Sequence, residues 1–141
     1  AKEIGTYLAL SLHAPSDDIR EMIMPINKKF KIKELIEHCK YYSSVVKEKI
    51  TLEYVMLKGI NDSLECANQL IKLMAQFPCK VNLIEFNPWP GVQYLPTKRE
   101  EMEKFGKVIQ EAGYIATIRR SRGQDILGAC GQLRTESLKI K

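Results

Sequence analysis

The segment KITLEYVML, residues 49 to 57, is rich in β-branched and aromatic side chains and predicts a β-strand in the middle of the chain. A helix is predicted after it by apolar residues at helical spacing, namely Leu64, Ala67, Leu70, Ile71 and Met74. Asp62-x-x-Glu65 resembles a capping box at the start of that helix. KVNLIEF, residues 80 to 86, predicts the next strand after Pro78. This order is typical of one βα repeat of a parallel sheet.

The same alternation continues in both directions along the chain. Thr6–Leu12 is an apolar run of strand length, and the spacing of apolar residues predicts a helix over roughly 32–44. Thr97-x-x-Glu100 is a second capping pattern, and Gly113 is a typical helix stop. The inward face of that helix is predicted to be Met102, Phe105, Val108, Ile109 and Ala112. A strand over 114–119 completes an α/β fold with a mostly parallel sheet.

Length and composition exclude several classes of protein. The chain has 141 residues, of which 45% are apolar, and its net charge is +5, so one globular domain is expected rather than disorder. No apolar run is long enough to cross a membrane and no signal peptide is recognisable, which favours the cytoplasm. The four cysteines form no C-x-x-C pair, which argues against zinc and redox dithiol sites. Because the first residue is Ala1 rather than Met, we expect a piece of a longer protein.

Polar, Gly/Pro-rich and aromatic residues follow each predicted strand. Ligands of parallel βα proteins bind outside the carboxyl ends of the strands, so a site is expected at this rim. Ser11 and His13 flank Leu12 and would project to the same side of an extended strand end. The alternative is that Ser11 only caps the following turn and His13 only bonds the backbone. Asn87 begins the rigid turn NPWPG, where its carboxamide could bind a ligand or simply stabilise the turn.

Cys130 is the cysteine with a predicted chemical role. Its small neighbours leave the sulfur accessible, whereas Cys39, Cys66 and Cys79 lie in apolar elements and are predicted to be structural. The arginines nearby favour a thiolate and can also bind phosphates: Arg119, Arg120 and Arg122. A thiol nucleophile pair of Cys130 with His13 is one alternative, and a solvated basic face is the alternative for the arginines.

Five ordered motifs together resemble one family. They are LALSLHAP at 8–15, MPINKK at 24–29, NLIEFNPWPG at 82–91, RSRGQDI at 120–126 and ACGQL at 129–133. This set resembles the C-terminal part of the RlmN and Cfr family of radical S-adenosylmethionine methyltransferases. The resemblance implies the C-terminal half of a partial (βα)6 barrel, cut just before its fourth strand. It divides the chain into βα repeats at 1–120 and a catalytic cysteine loop and tail at 121–141.

The resemblance also implies roles for particular residues. Ser11, Leu12, His13 and Asn87 would contact S-adenosylmethionine, and Cys130 would be the cysteine that becomes S-methylated. A radical formed from a second S-adenosylmethionine would abstract hydrogen from that methyl group, and the carbon would add to C2 of an adenine in 23S rRNA or tRNA. Apart from the resemblance, the charge of Arg119, Arg120 and Arg122 and their place at the predicted rim beside Cys130 lead us to expect that they contact the RNA. A carbon so electron-poor is out of reach of ordinary nucleophilic methyl transfer, so sulfur carries the methyl group.

Other parts that the resemblance implies lie outside this sequence. They are the C-x-x-x-C-x-x-C ligands of a [4Fe-4S] cluster, the general base, and the second cysteine that releases the RNA by forming a disulfide bond. The chain alone is therefore expected to be inactive and to self-associate through the edge of Thr6–Leu12. The parent enzyme is expected to need a reductant for its cluster. Methylation of adenine C8 and a non-catalytic basic RNA-binding module remain the alternative functions.

Overall fold

The computed structural model describes residues 8 to 120 as four β-strands, four α-helices and one 3-10 turn. The strands are β1 (Ala9–Ser11), β2 (Ile50–Met56), β3 (Cys79–Glu85) and β4 (Ala116–Arg119). The helices are α1 (Asp17–Ile23), α2 (Ile32–Val45), α3 (Leu64–Met74) and α4 (Arg99–Glu111), with the 3-10 turn at Pro25–Lys28. The start of the predicted strand at Thr6, and the whole segment 121–141 with Arg122 and Cys130, lie outside the described residues.

The four strands form one parallel sheet in the order β1-β2-β3-β4. Each neighbouring pair is joined by a connection that contains a helix, as parallel pairing requires. The predicted α/β class and its parallel sheet are confirmed. The described strands and the helices α2, α3 and α4 agree with the sequence pattern to within a few residues, whereas α1 was not predicted.

Helices α2, α3 and α4 cover one face of the sheet and form the main core with it. Even-numbered positions of β1 and β2, such as Leu52 and Tyr54, meet Val81 and Leu83 of β3 and the apolar side chains of α2, α3 and α4 on this face. The Tyr54 and Phe105 rings, whose centroids are 5.4 Å apart, join β2 to α4. The opposite face carries a smaller apolar cluster only near the carboxyl ends of β2 and β3, where Ile23 of α1 covers it.

Neither predicted capping box forms. The N-cap of α3 is Ser63 rather than Asp62, and its hydroxyl accepts from the N–H of Cys66. The N-cap of α4 is Lys98 rather than Thr97, and its side chain makes no capping hydrogen bond. Asp62 and Thr97 instead bind each other, since the Thr97 hydroxyl donates to the Asp62 carboxylate at 2.8 Å. Asp62 also accepts from the N–H of Gly59, so the two connections at the rim are tied together.

Two apolar positions predicted to face the core are exposed. Leu64 is 59% exposed because α3 begins at that residue and turns its first side chain outward, and Ala112 lies beyond the last turn of α4. Cys66 takes the inward position that the pattern assigned to Leu64. Gly113, with a φ of 99°, ends α4 as predicted, because that backbone conformation favours glycine.

Candidate functional site

A row of polar side chains crosses all four strands on the face away from the helices. Ser11 pairs with Glu53, Glu53 with Asn82, and Asn82 with Thr117 in the parallel register. The Ser11 hydroxyl lies 3.5 Å from a Glu53 carboxylate oxygen, and the Thr117 hydroxyl donates to the Asn82 side chain. Parallel sheets are usually apolar on both faces, so a continuous polar row indicates a surface that meets a polar ligand or solvent.

At the end of the hydrogen-bond ladder between β1 and β2, beside this row, side chains take the place of a backbone hydrogen-bond partner. The amide of Leu12 still donates to Glu53 O at 3.0 Å, as the parallel register requires. The next ladder bond would join Val55 N–H to Leu12 C=O. Instead, Val55 N–H donates to His13 Nδ1 at 2.9 Å, and Leu12 C=O accepts from Arg20 Nε at 2.9 Å. Two side chains therefore replace one backbone bond.

His13 turns the chain away from the sheet at this point. Its φ is 58°, in the left-handed region, and its side chain is fully buried. The prediction that Ser11 and His13 project together from an extended strand end is therefore wrong. Asn61 holds the turn from the other side, because its Nδ2 donates at 2.8 Å to both His13 O and Val55 O while its Oδ1 accepts from Leu57 N–H.

Burial also decides what the His13 imidazole can do. Desolvation, with the nearby Arg20 cation, lowers the pKa of His13 to about 3. An imidazole this weakly basic is neutral at physiological pH and does not take a proton from a thiol. The alternative of a Cys130 and His13 nucleophile pair is therefore unsupported. Leu12, also fully buried, belongs to the main core.

Arg20 is a buried cation that organises the β1 end. Besides Leu12 O, its guanidinium donates to Ser11 O at 3.0 Å and to Asn27 Oδ1 at 2.9 Å. Asn27 in turn links Arg20 to two carboxylates, because its Nδ2 donates to Asp17 Oδ1 at 3.0 Å and to Glu21 Oε2 at 3.3 Å. Burial lowers the pKa of Arg20, yet an arginine in a protein keeps its charge, so the carbonyl oxygens and the nearby carboxylates stabilise it.

The turn after β3 stands at the same end of the sheet. Asn87 is exposed, and Trp89, 38% exposed, meets Phe86 edge to face with ring centroids 5.8 Å apart. Val92 N–H donates to Trp89 O at 3.1 Å, and Gly91 supplies the positive φ that the turn needs. The predicted rigid turn is confirmed, and it presents a carboxamide and an indole at the rim.

The basic end of β4 completes the rim as far as the structure describes it. Arg119 ends β4, and Arg119 and Arg120 are both exposed. Arg119 pairs in register with Ile84 and so follows Thr117 on the face away from the helices. The structure brings Ser11, Asn87 and these two arginines to one end of the sheet, while Arg122 and Cys130 lie beyond the described residues.

The described cysteines have the structural role that the sequence predicts. Cys39, Cys66 and Cys79 are buried free thiols, so the part of the chain at 8 to 120 contains no disulfide bond. Burial raises the pKa of Cys39 to about 11 and that of Cys79 to about 12. Within the same residues no three His, Cys, Asp or Glu side chains form a group that could hold a metal ion. None of them is therefore assigned to an iron–sulfur cluster.

The polar row and the turn after β3 present several kinds of hydrogen-bonding group. Ser11 offers a hydroxyl, Glu53 a carboxylate, and Asn82 and Asn87 offer carboxamides, a set that can bind amine, hydroxyl and base edges. A cavity of about 320 Å³ lies elsewhere, beside the starts of α1 and α2, and includes none of these four residues. No helix within residues 8 to 120 is long and apolar enough to cross a membrane.

Sequence reasoning missed Arg20, Asn61 and Glu53. Helix α1 carries Arg20 and is only seven residues long, too short for a clear helical period, although Ser16 before Asp17 and Asp18 is an N-cap signal. Asn61 lies among the polar residues that follow the strand predicted over 49–57, and nothing else in the sequence distinguishes it. Glu53 was visible as the one charged residue inside an apolar strand, which is a usable signal for a buried or functional carboxylate.

In sequence the chain is similar to curated RNA methyltransferases. It is 55% identical over 141 residues to the dual-specificity RNA methyltransferase RlmN of Rhizobium leguminosarum bv. trifolii, 52% to that of Rhizobium meliloti and 54% over 140 residues to that of Agrobacterium fabrum. Each alignment covers 99% of this chain. The chain spans about a third of the length of these curated relatives. No protein-family model matches it.

Solved structures give the same result for the fold. A radical SAM methyltransferase from Sphaerobacter thermophilus superimposes with a TM-score of 0.82 and 38% identity, over 86% of this chain and 36% of that one. A domain of a pyruvate-formate lyase-activating enzyme from Bacteroides vulgatus superimposes with a TM-score of 0.61 at 13% identity, a likeness of fold alone. The resemblance inferred from the five motifs is confirmed, and the four-stranded parallel sheet is consistent with part of a TIM-like barrel.

Proposed function

We propose that this chain is the C-terminal part of a radical S-adenosylmethionine methyltransferase that methylates C2 of adenine in 23S rRNA and tRNA. The observation that carries the proposal is the identity of more than half of the residues over 99% of the chain to RNA methyltransferases named RlmN. The polar rim and the exposed arginines of β4 support it, because the first suits an adenosyl group and the second suits phosphate.

In this proposal the chain's own residues bind and position. The Ser11 hydroxyl and the Asn87 carboxamide contact S-adenosylmethionine, while Leu12 and His13 shape the segment from within, since both side chains are buried. When bound, S-adenosylmethionine and a [4Fe-4S] cluster held by the rest of the enzyme supply the methyl group and the radical. Cys130 carries the methyl group as a thioether, which a serine oxygen cannot replace in the radical step.

The test of this function is the methylation of RNA by the intact enzyme that contains this chain. Cys130→Ser should abolish 2-methyladenosine in 23S rRNA, measured by nucleoside mass spectrometry, while the fold and cluster absorbance stay unchanged. Cys66→Ser, a buried cysteine on α3, is the matched control and should keep the modification. Normal 2-methyladenosine in Cys130→Ser would contradict the proposal, and 8-methyladenosine in the wild type would favour C8 chemistry.

We propose that Arg119, Arg120 and Arg122 contact RNA phosphates. Arg120→Glu with Arg122→Glu should weaken RNA binding and reduce the slope of log K against log salt by roughly one for each lost phosphate contact. Lys104→Glu with Lys107→Glu, on the exposed side of α4, is the control of equal charge. An unchanged slope would mean that the arginines are only a solvated face. RNA binding without any methylation by the intact enzyme would favour the non-catalytic RNA-binding module.

We also propose that the 141-residue chain on its own is inactive and self-associates. Among the described strands β1 lies at an edge of the sheet, so the outward backbone groups that Arg20 does not bind can pair with another chain. Light scattering over a range of concentrations should show a mass that grows with concentration, and a constant monomer mass would contradict this. The intact enzyme would work in the cytoplasm, where its RNA substrates and a reductant for the cluster are present.

A further inference from the structure

Every main-chain polar group from Ser11 O to His13 O already has a partner inside the chain. Leu12 N–H and His13 N–H both donate to Glu53 O at 3.0 and 3.1 Å. Arg20 binds the carbonyl oxygens of Ser11 and Leu12, and Asn61 binds that of His13. The backbone of this strand end is therefore already fixed, and Ser11 presents its side-chain hydroxyl there.

Arg20 is the side chain that links the two sides of this strand end. Ser11 C=O points to the outer edge of the sheet, because odd-numbered residues of β1 face away from β2 in the parallel register. Leu12 C=O points toward β2. One guanidinium reaches both, from Nη2 and Nε, and a third contact from Nη1 fixes it to Asn27. A planar fork of donors is required for this geometry.

The arrangement is costly, so it needs an explanation beyond packing. Arg20 is only 4% exposed, and among the ion pairs of residues 8 to 120 none includes it. The Asp17 carboxylate favours this charge but is joined to it through Asn27 rather than directly. A buried charge without direct ionic pairing loses hydration that neutral hydrogen bonds only partly replace. An apolar side chain would fill the same volume without this cost. It would, however, leave Leu12 C=O without a donor, because Val55 N–H is committed to His13 Nδ1.

We infer that Arg20 is a positioning residue for ligand binding at the carboxyl end of β1. By holding Ser11 and Leu12 through their carbonyl groups, it fixes the Ser11 hydroxyl and the left-handed turn at His13 before the ligand arrives. This inference rests on the proposed function, since the ligand that it concerns is S-adenosylmethionine. Preorganisation of this kind raises affinity because the segment does not have to be ordered on binding.

The experiment compares Arg20→Lys with the wild type in the intact enzyme. An ammonium group keeps the charge but cannot reach Ser11 O, Leu12 O and Asn27 together, so S-adenosylmethionine affinity measured by calorimetry should fall at least tenfold. Amide hydrogen exchange of Leu12 and His13 in the ligand-free enzyme should become faster by a similar factor. Turnover at saturating S-adenosylmethionine should change much less than the KM, because Arg20 does not touch the reacting atoms.

A stability-matched control separates positioning from general destabilisation. Leu70→Ala opens a cavity in the core under α3, away from β1, and should lower the melting temperature without changing affinity or the exchange of Leu12. If Arg20→Lys binds S-adenosylmethionine as tightly as the wild type, the inference is overturned while the proposed function stands. If the wild-type enzyme itself does not bind S-adenosylmethionine, the proposed function fails, and the inference with it.

Discussion

Replacing Asn61 with Leu should cost more stability than almost any other polar-to-apolar change in this chain. The side chain of Asn61 is fully buried and makes three hydrogen bonds of 2.8 Å to the backbone. Leucine has a similar size but no donor or acceptor. His13 O, Val55 O and Leu57 N–H would then be buried without these partners.

The magnitude follows from the number of groups left unsatisfied. A buried backbone group without a partner costs about 1–3 kcal/mol, so three groups cost roughly 3–6 kcal/mol if each relaxes to the lower half of that range. A whole domain is stable by about 5–15 kcal/mol. The change at Asn61 should therefore consume a large part of the free energy of unfolding and loosen the joint between the ends of β1 and β2.

Urea unfolding of the 141-residue chain, followed by far-ultraviolet circular dichroism, measures this loss. With a slope of about 1.5 kcal/mol per molar urea, the midpoint should fall by about 2 M or more. Asn68→Leu, on the exposed face of α3, is the matched control and should stay within about 0.5 kcal/mol of the wild type. A loss below about 1 kcal/mol for Asn61→Leu would refute the assignment of these bonds as the joint of the sheet. An Asn61→Leu chain that does not fold at all would agree with the upper end of the expected loss in the free energy of unfolding.

The folded pKa of His13, about 3, lies below its ordinary 6.5, so the unfolded chain binds a proton that the native chain does not. As the pH falls from 6.5 to 3, this group alone should lower the free energy of unfolding by about 1.4 kcal/mol per pH unit. His13→Gln should remove that contribution and leave only the acid-end loss from groups such as Asp17 and Glu21, whose pKa values are also lowered. Cys39 and Cys79, whose pKa values burial raises to about 11 and 12, should resist iodoacetamide at pH 8 until urea unfolds the chain, as peptide mass spectrometry would show. Asp62→Ala removes acceptors for Gly59 N–H and the Thr97 hydroxyl and should cost about 1.5–3 kcal/mol, and an unchanged melting curve would contradict that estimate.

The regular elements were predictable because their signals are local. KITLEYVML and KVNLIEF became β2 and β3, and the apolar spacings of α2, α3 and α4 gave those helices to within a few residues. The capping patterns failed because Asp62 and Thr97 found each other, across 35 residues, instead of the nearby helix ends. A hydrogen bond between residues this far apart in sequence cannot be predicted from a local pattern of about ten residues.

The candidate site was predictable in position but not in construction. The rule that ligands bind at the carboxyl ends of parallel strands predicts a site at this end of the sheet, and Ser11 and Asn87 do lie at that end. The role of His13 was not predictable, since it depends on a left-handed backbone and on Val55, 42 residues later in the chain. The role of Arg20 was not predictable either, because two of its three partners are main-chain oxygens, which every residue has.

If the ligand of the proposed function binds the polar row from Ser11 to Thr117, its binding is coupled to the folding of the whole sheet. Its neighbours are far apart in sequence, 42 residues between Ser11 and Glu53 and 35 between Asn82 and Thr117. The row exists only after all four strands have closed these long loops, which are the slowest contacts of a parallel sheet to form. A ligand held by the row thus binds the native sheet and no partly folded form. At a concentration of one hundred times its Kd it would add about 2.7 kcal/mol to the free energy of unfolding of the whole domain.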